Sequence, residues 1–257
     1  MRNPVNRLWI AALGLLVLSG QSALRADDAK PDAAKSVTLA HPLKAKENVQ
    51  YKYTLNISAG GTDILVEQNR KQTVKEVKDN GDVVIVIADL GGKVAFGGND
   101  MDTPPGSPIT ITQSKSGKLL TYVPEAEENQ YFTTPTMHLV EMANHIVLSD
   151  KPVKPGDSWT TEVPNPAAKG KKVTIKTTYV ADAKLDGTAV WKVKQTLEAE
   201  TESGETMKAV TTASLDAATG QLIQAEHELT GVPTKMGSVD WKAKVQRAKP
   251  EAAKTDK

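Results

Sequence analysis

Regular alternation of apolar and polar side chains is the feature that most constrains how this chain folds. From Val49 to Ile57 every second residue is apolar, and the residues between them are Gln, Lys, Thr and Asn. The same period of two recurs at Val173–Tyr179, Ala189–Leu197 and Val239–Val245. Because successive side chains of a strand point to opposite faces, the pattern predicts strands with one buried and one solvated side. Such strands are typical of an antiparallel sheet that is covered on one face.

Short glycine-containing turns separate these segments. Asp79-Asn80-Gly81, Leu185-Asp186-Gly187 and Glu202-Ser203-Gly204 each lie between two strand-like runs, and residues 114–117 and 217–220 do likewise. Glycine supplies the positive φ that tight hairpins require, so consecutive hairpins predict a meander, either an antiparallel sheet or a half barrel. Val83–Ala88 is apolar on both sides and is the candidate for a central strand.

One segment has a helical period instead. In Thr134–Val147 an apolar side is formed by Leu139, Met142, Ala143, Ile146 and Val147. The opposite side carries His138, Glu141, Asn144 and His145. Thr133 or Thr134 is a candidate N-cap, with Pro135 in the first turn. We therefore predict a mainly β (α+β) fold with one amphipathic helix at about 134–147, whose polar side lies in water.

Three landmarks suggest an internal repeat on either side of this helix. Lys46–Tyr51 aligns with Lys154–Trp159, and Gly81 aligns with Gly187. Further along the chain, 116–120 aligns with 219–223, so the offset drifts from 108 to 103 residues. Each landmark is a common turn, and generic β-turn chemistry explains them equally. The possible repeat halves are 41–133 and 149–247, sharing one core.

The N-terminus predicts export. Arg2 and Arg7 precede the apolar run Leu8–Leu18, which suits a signal peptide and is short for a transmembrane helix. Cleavage is predicted after Ala26, with cleavage after Ala23 as one alternative and an uncleaved N-terminal anchor as the other. Beyond this signal peptide (residues 1–26), we predict a flexible linker at 27–40, a single β-rich domain at 41–247 and a disordered basic tail at 248–257.

Composition excludes several classes of function. The chain has 257 residues and no cysteine, which removes thiol nucleophiles, disulfides and thiolate metal sites. Removal of residues 1–26 removes three arginines and no acid, leaving 29 basic and 31 acidic residues. A nearly neutral mature protein gives no electrostatic reason to expect nucleic acid as a partner.

No residue pattern predicts a metal, cofactor or catalytic site. His138-x-x-Glu141-x-x-x-His145 spreads its two histidines over roughly 10 Å of helix, which suits polar surface better than a shared metal. Gly97–Asp102 begins like a calcium-binding loop, but Pro104 and Ile111 occupy ligand positions, so we interpret it as a turn. The chain lacks a phosphate-binding loop and a G-x-S-x-G nucleophile motif. Four histidines limit the choice of a general base: His41, His138, His145 and His227.

Two turn motifs carry a resemblance. Lys154-Pro155-Gly156-Asp157-Ser158-Trp159 precedes a strand, and Asp216-Ala217-Ala218-Thr219-Gly220 forms a late hairpin. With these motifs and its signal peptide, the chain resembles secreted bacterial β-rich proteins of uncharacterised function. More remotely, strands curved over a helix are similar to envelope carriers of the lipoprotein-chaperone type. The resemblance implies no catalytic residues.

The expected function is that of a non-catalytic exported envelope protein, periplasmic or secreted, which binds an apolar ligand or a partner segment. The alternative is an assembly protein of the envelope that acts through protein contacts, and a hydrolase is the third possibility. An apolar pocket between sheet and helix favours the first, and an exposed apolar edge favours the second. Histidine and carboxylate converging in a cleft favour the third. No cofactor is expected, and after cleavage the chain does not span a membrane.

Overall fold

The computed structural model describes residues 36–59, 61–126 and 131–249. Within these residues, twelve strands and one helix follow one another along the chain. They are β1 (Asn48–Ala59), β2 (Thr62–Val77), β3 (Val83–Phe96), β4 (Asn99–Thr103), β5 (Ile109–Gln113), β6 (Leu119–Pro124), α1 (Thr134–Asn144), β7 (Ser158–Pro164), β8 (Lys172–Leu185), β9 (Thr188–Glu200), β10 (Thr206–Asp216), β11 (Leu222–Thr234) and β12 (Gly237–Arg247).

All twelve strands belong to one open antiparallel sheet, as predicted. Their order is β6-β5-β3-β2-β1-β12-β11-β10-β9-β8-β7, and β4 pairs with β3 beside β5. Two meanders are therefore joined by the pairing of β1 with β12, the first and last strands. Because this pairing lies in the middle of the sheet, the predicted central strand Val83–Ala88 is wrongly placed: it lies in β3, near one edge.

Burial alternates along the strands as the sequence predicts. Tyr51 and Tyr53 are buried and Lys52 between them is exposed, and the same alternation runs through β8, β9 and β12. Ala189 departs from it because it lies beside the β8–β9 turn and is exposed. We call the face that contacts α1 the inner face. The buried inner side chains form two clusters, one around Leu139 of the helix and one around Trp191.

The N-terminal segment (residues 36–47) covers the second cluster. Val37 and Val153 exchange two backbone hydrogen bonds of 2.8 and 2.9 Å, and Leu39 is buried. Residues 36–40 therefore belong to the folded unit, and the predicted flexible linker does not extend to residue 40. Signal peptide residues 1–26, linker residues 27–35 and tail residues 250–257 lie outside the described residues.

Two turns at the starts of β1 and β7 make the same hydrogen bonds. The Glu47 carboxylate accepts from Lys44 N–H at 3.0 Å, and the Asp157 carboxylate accepts from Lys154 N–H at 2.9 Å. Lys46 and Gly156 both have positive φ, 68° and 94°. These bonds make Glu47 equivalent to Asp157, so the offset between the two turns is two residues larger than the 108 of the sequence alignment. The internal repeat itself stays a prediction.

The helix begins as predicted and ends earlier. The Thr133 hydroxyl accepts a hydrogen bond from Thr136 N–H at 3.3 Å, and Pro135 lies in the first turn. At the other end the backbone becomes extended at His145 instead of continuing to Val147.

Four buried polar side chains of the sheet explain where the helix ends. Thr177, Gln195, Thr211 and His227 are neighbours across β8 to β11, and we call them the polar row. Thr211 Oγ1 donates to the carbonyl of Ala143 at 3.1 Å. Gln195 Nε2 donates to the carbonyl of His145 at 2.8 Å, and Gln195 Oε1 accepts from Val147 N–H at 2.9 Å. The row thus satisfies backbone groups that a helix end leaves without partners.

Replacing Trp191 and Lys192 separately tests the strand register. Trp191 is 9% exposed in the second cluster, below the N-terminal segment, while Lys192 is exposed on the outer face. Trp191→Ala is expected to lower the free energy of unfolding by about 3–5 kcal/mol, because a large aromatic leaves a cavity. Lys192→Ala should change it by less than about 0.5 kcal/mol. Urea unfolding of both variants measures the difference, and a costlier Lys192→Ala would contradict the register.

Candidate functional site

The helix side that was predicted to face water is enclosed. Glu141 is 2% exposed, and His138, Asn144 and His145 are half-buried. The reason is that α1 packs against β6 on one side and against β9, β10 and β11 on the other. The prediction of a polar surface at His138, Glu141 and His145 is therefore wrong. An amphipathic period indicates one apolar side, but it does not show what covers the other.

Glu141 lies at the centre of a buried ion-pair network. His145 Nε2 is 3.1 Å from Glu141 Oε1, and an Arg70 guanidinium nitrogen is 3.6 Å from Oε2. Burial acts to raise the pKa of Glu141. The hydrogen bond and charge of His145, the charge of Arg70 and a bond from Asn144 outweigh it and lower that pKa to about 2. Glu141 is therefore a buried carboxylate that stays ionised.

The network continues across β2 and β3. Arg70 lies 4.8 Å above the Tyr53 ring, and Arg70 Nε donates to Gln68 at 2.9 Å. Gln68 donates in turn to Asp89 at 2.6 Å. Each member of this chain thus has a polar or aromatic partner, so the network can hold helix and sheet in a fixed relation.

His145 is fully engaged within the network. Its second ring nitrogen, Nδ1, is 3.0 Å from Gln113 Oε1. A general base needs a free nitrogen facing its nucleophile, and both nitrogens of His145 already have partners. His138 does not join Glu141 and His145, because its ring stacks on Tyr122 with centroids 5.8 Å apart. In the part of the chain that the structure describes, no group of three or more His, Cys, Asp or Glu could hold a metal ion.

A small cavity separates this network from the N-terminal segment. Its volume is about 80 Å³, and its lining includes His41, Glu47, Gln113, His145 and Leu148. Burial lowers the pKa of His41 to about 4, while Glu47 opposes this shift and His145 adds to it. The cavity is smaller than typical ligand pockets and mixed in polarity, so it suits a few water molecules. A cleft of about 350 Å³ lies beyond it and shares the side chains of His41, Leu43 and Gln113.

The inner face is apolar but incompletely covered at the ends of β1–β4 near the β1–β2 and β3–β4 turns. Six side chains, which we call the apolar patch, lie there: Ile57, Ile64, Val66, Val94, Phe96 and Met101. Cross-strand pairing places Ile57, Ile64 and Phe96 in one row and Val66, Val94 and Met101 in the next. Phe96 is 49% exposed and Met101 is 56% exposed, and the other four are partly buried. A contiguous apolar surface of this kind is a candidate binding site.

Neither the apolar patch nor the polar row was predicted from the sequence. The signal for the patch was present, because Ile64 and Val66 alternate, and so do Val94 and Phe96. The signal for the row was the presence of Thr177 and Gln195 at inward positions of otherwise apolar alternation. Asp100 and Asp102, which were considered as calcium ligands, are exposed in β4, and Gly97 and Gly98 form the preceding turn with positive φ.

His227 is held neutral inside the polar row. The single hydroxyl proton of Thr211 goes to the Ala143 carbonyl, so His227 Nδ1, 2.9 Å from Thr211 Oγ1, must be the donor to it. Nε2 then carries no proton, and it is buried with no hydrogen-bond partner among the residues that the structure describes. Burial lowers the pKa of His227 to about 4, although the charge of Glu141 opposes the shift.

Acid should destabilise the protein through this histidine. In the unfolded chain His227 takes up its proton near pH 6.5, whereas in the folded protein it does so only near pH 4. Stability is therefore full above pH 6.5 and falls between pH 6.5 and 4, by about 2 kcal/mol for this group at pH 5. Urea unfolding at pH 7.5 and pH 5 measures the loss, which His227→Gln should reduce by about 2 kcal/mol. Lys192→Ala should keep the full loss, and an unchanged loss in His227→Gln would contradict the assignment.

No helix in the described ranges is long and apolar enough to cross a membrane. No protein-family model matches the sequence, and no curated protein matches it either.

Three solved structures are remote neighbours in fold. A putative exported protein with a YmcC-like fold from Bacteroides fragilis NCTC 9343 is 13% identical, with a TM-score of 0.36, and the match covers 83% of this chain and all of that one. A DUF1329 family protein from Desulfovibrio piger ATCC 29098 is 6% identical, with a TM-score of 0.24 and coverages of 78% and 84%. A putative outer membrane lipoprotein-sorting protein domain from Vibrio parahaemolyticus is 6% identical, with a TM-score of 0.23 and coverages of 82% and 89%.

These neighbours are of the two kinds that the resemblance named, an exported protein and a lipoprotein-sorting protein. At such TM-scores nothing about function follows from them.

Proposed function

We propose that this chain is a non-catalytic exported protein of the cell envelope, periplasmic or secreted, that binds an apolar ligand or an apolar partner segment on the apolar patch. The observation that carries the proposal is the half-exposure of Phe96 and Met101 on the face that elsewhere forms the core. Phe96 pairs with the partly buried Ile64 and Met101 pairs with the partly buried Val94, and α1 contacts neither β3 nor β4.

The composition of the apolar patch supports binding. Its side chains are aliphatic or aromatic, and Met101 is flexible and polarisable, which suits ligands of variable shape. Solvent-facing positions of β1 and β2 are mostly polar, among them Lys52, Asn56 and Glu67, whereas the six patch positions are all apolar. An apolar inner surface that stays open is best explained by a partner that covers it.

The surroundings of the histidines support a non-catalytic role. Both nitrogens of His145 have partners, and His227 lies below the helix end. His138 is stacked on Tyr122, and His41 is buried in the N-terminal segment. Among the described residues, the buried Glu141 is likewise committed to Arg70 and His145.

Export rests on the N-terminal sequence, which lies outside the described residues. Expression of the full chain in a bacterium with a periplasm should give an exported protein that begins at Asp27, or at Leu24 if cleavage follows Ala23. Intact-mass measurement and N-terminal sequencing of the exported protein distinguish the two. A mature protein that still begins with Met1 would contradict export with cleavage.

Replacing a residue of the apolar patch should weaken binding of an apolar probe. Mature protein is titrated with a neutral apolar fluorophore, N-phenyl-1-naphthylamine. Phe96→Asp should weaken its binding about tenfold or more, because burying an unpaired carboxylate opposes apolar contact.

Leu65→Asp is the matched control for this titration. Leu65 is similarly exposed, but it lies on the outer face of β2, opposite Asn56 of β1. The affinity of the Leu65→Asp variant for the fluorophore should stay within about twofold of that of the unchanged protein. Equal affinities of the two variants would contradict the proposal. If Phe96→Asp alone weakens binding, mass spectrometry of lipids that purify with the protein would identify a natural ligand.

The assembly role is a second candidate because of the edge strand β6. Within the described ranges this strand pairs with β5 along one side and with no strand along the other, and it exposes Leu120 and Val123. Unpaired edges can add a strand from another chain. An assembly role predicts equal fluorophore binding by Phe96→Asp and Leu65→Asp, together with self-association through β6 that sedimentation would detect.

A further inference from the structure

We propose that the outer face of β8 and β9 docks on a membrane surface that carries anionic lipid headgroups. Three exposed lysines, which we call the lysine cluster, define this face: Lys176, Lys192 and Lys194. Each of them lies between two buried residues of its strand, so all three side chains are on the face opposite α1 and the apolar patch. The inference goes beyond the proposed function and does not depend on the apolar patch.

The lysine cluster runs along a diagonal of the sheet. Lys192 and Lys194 are two residues apart in β9, which places them about 7 Å from each other. Lys176 of β8 pairs with Thr196, so it is the diagonal neighbour of Lys194, at about 7–8 Å. Three like charges therefore follow one another over roughly 15 Å, and their mutual repulsion opposes this arrangement.

Elsewhere on the outer face, lysines reach carboxylates of a neighbouring strand. Four of them form ion pairs at 2.5–3.6 Å: Lys52, Lys172, Lys208 and Lys242. Within the described residues, no member of the lysine cluster is in an ion pair. The side chains across from the cluster on neighbouring strands are hydroxyl or methyl groups: Thr160, Thr178, Ala181, Thr196, Thr212 and Ser214.

The nearest carboxylates do not neutralise the cluster. Glu162 and Glu198 are diagonal neighbours of Lys176. Lys172 pairs with the first of them at 2.5 Å, and Lys208 pairs with the second at 3.6 Å. Both carboxylates thus already have a cation of their own, and the three charges of the lysine cluster stay uncompensated.

The spacing of these charges favours an extended anionic surface over a single anion. A site for one phosphate brings several donors together in a concave pocket. The three ammonium groups instead stand apart on an exposed face of the sheet. A layer of anionic lipids attracts each exposed lysine near it, and the attraction adds up over a cluster.

Two exposed apolar side chains favour a lipid surface over a nucleic acid. Val180 lies in the β-bulge opposite Lys192, and Val210 of β10 pairs with Thr196 of β9. Apolar side chains beside lysines can enter the boundary between headgroups and acyl chains, where burial is favourable. A backbone of sugars and phosphates offers no comparable apolar layer.

Co-sedimentation with vesicles tests the inference on the unchanged mature protein. One set of vesicles contains phosphatidylglycerol and phosphatidylcholine in equal amounts, and the other contains phosphatidylcholine alone. The protein should bind the anionic vesicles about tenfold or more tightly than the neutral ones. Raising the salt concentration from about 50 to about 500 mM should remove most of this difference, because salt screens exposed charges.

A triple variant locates the binding surface: Lys176→Gln, Lys192→Gln and Lys194→Gln. Its affinity for anionic vesicles should fall about tenfold or more. The matched control loses the same charge from exposed lysines of β1, β2 and β3: Lys52→Gln, Lys75→Gln and Lys93→Gln. Because β1 lies four strands from β9, or about 19 Å, the control should stay within about threefold of the unchanged protein.

Several outcomes would overturn the inference. Equal binding to the two kinds of vesicle would do so, and so would equal losses of affinity in the two triple variants. Tighter binding to a short DNA duplex than to anionic vesicles, compared at equal phosphate concentration, would point to another polyanion. Loss of vesicle binding in Phe96→Asp but not in the lysine-cluster variant would place the membrane at the apolar patch.

The fluorophore titration keeps this inference separate from the proposed function. N-phenyl-1-naphthylamine reports on the apolar patch, so the lysine-cluster variant should bind it as tightly as the unchanged protein does. If the fluorophore does not bind while the lysine cluster still determines vesicle binding, the proposed function fails and the inference stands. If the fluorophore binds and vesicle binding shows no preference for anionic lipid, the inference fails and the proposed function stands.

Discussion

The attachment of the helix end to the polar row determines how the rest of the molecule is arranged. A helix end leaves backbone groups without partners, and burying such groups without hydrogen bonds costs several kcal/mol. Thr211 and Gln195 supply these bonds from the inner face of the sheet. Because the bonds are buried and directional, they fix the helix end over β9 and β10, and apolar packing alone would not specify this position so narrowly.

The position of the helix determines what the remaining inner face contains. On the side of the helix that faces away from the polar row, Glu141 meets Arg70 of β2 and remains charged among buried side chains. The pairing satisfies both groups, but ion pairs of this kind contribute less to stability than to a unique arrangement. Beyond Arg70 the sheet continues toward the β1–β2 and β3–β4 turns, where the inner side chains of the described residues become more exposed, and there the apolar patch begins.

The sequence predicts local structure well because local structure depends on alternation and turns. The strands, the hairpins, the N-cap at Thr133 and the inward position of Trp191 all follow from residues close together in the chain. The pairing of β1 with β12 joins residues almost 200 positions apart, and no local pattern encodes it. The prediction that Glu141 faces water is wrong for the same reason. Its environment depends on β2 and β6, which the helix sequence does not describe. The apolar patch was missed because each strand shows an ordinary alternation, and only the pairing shows that these positions lie beyond the reach of the helix.

A comparison of sizes explains why an open patch exists at all. Eleven strands side by side at about 4.8 Å span roughly 50 Å, while an eleven-residue helix is about 16 Å long and about 10 Å wide. One helix and the N-terminal segment (residues 36–47) are too small to cover that whole inner face, and among the described residues part of it is open. A chain that only needed solubility would place polar residues there, as it does on its outer face at Lys52 and Asn56. Phe96 and Met101 occupy the open positions instead, 49% and 56% exposed. Leaving apolar side chains in water costs free energy, so an apolar surface at positions in register with the core is what the proposed binding role requires and what solubility alone would not select.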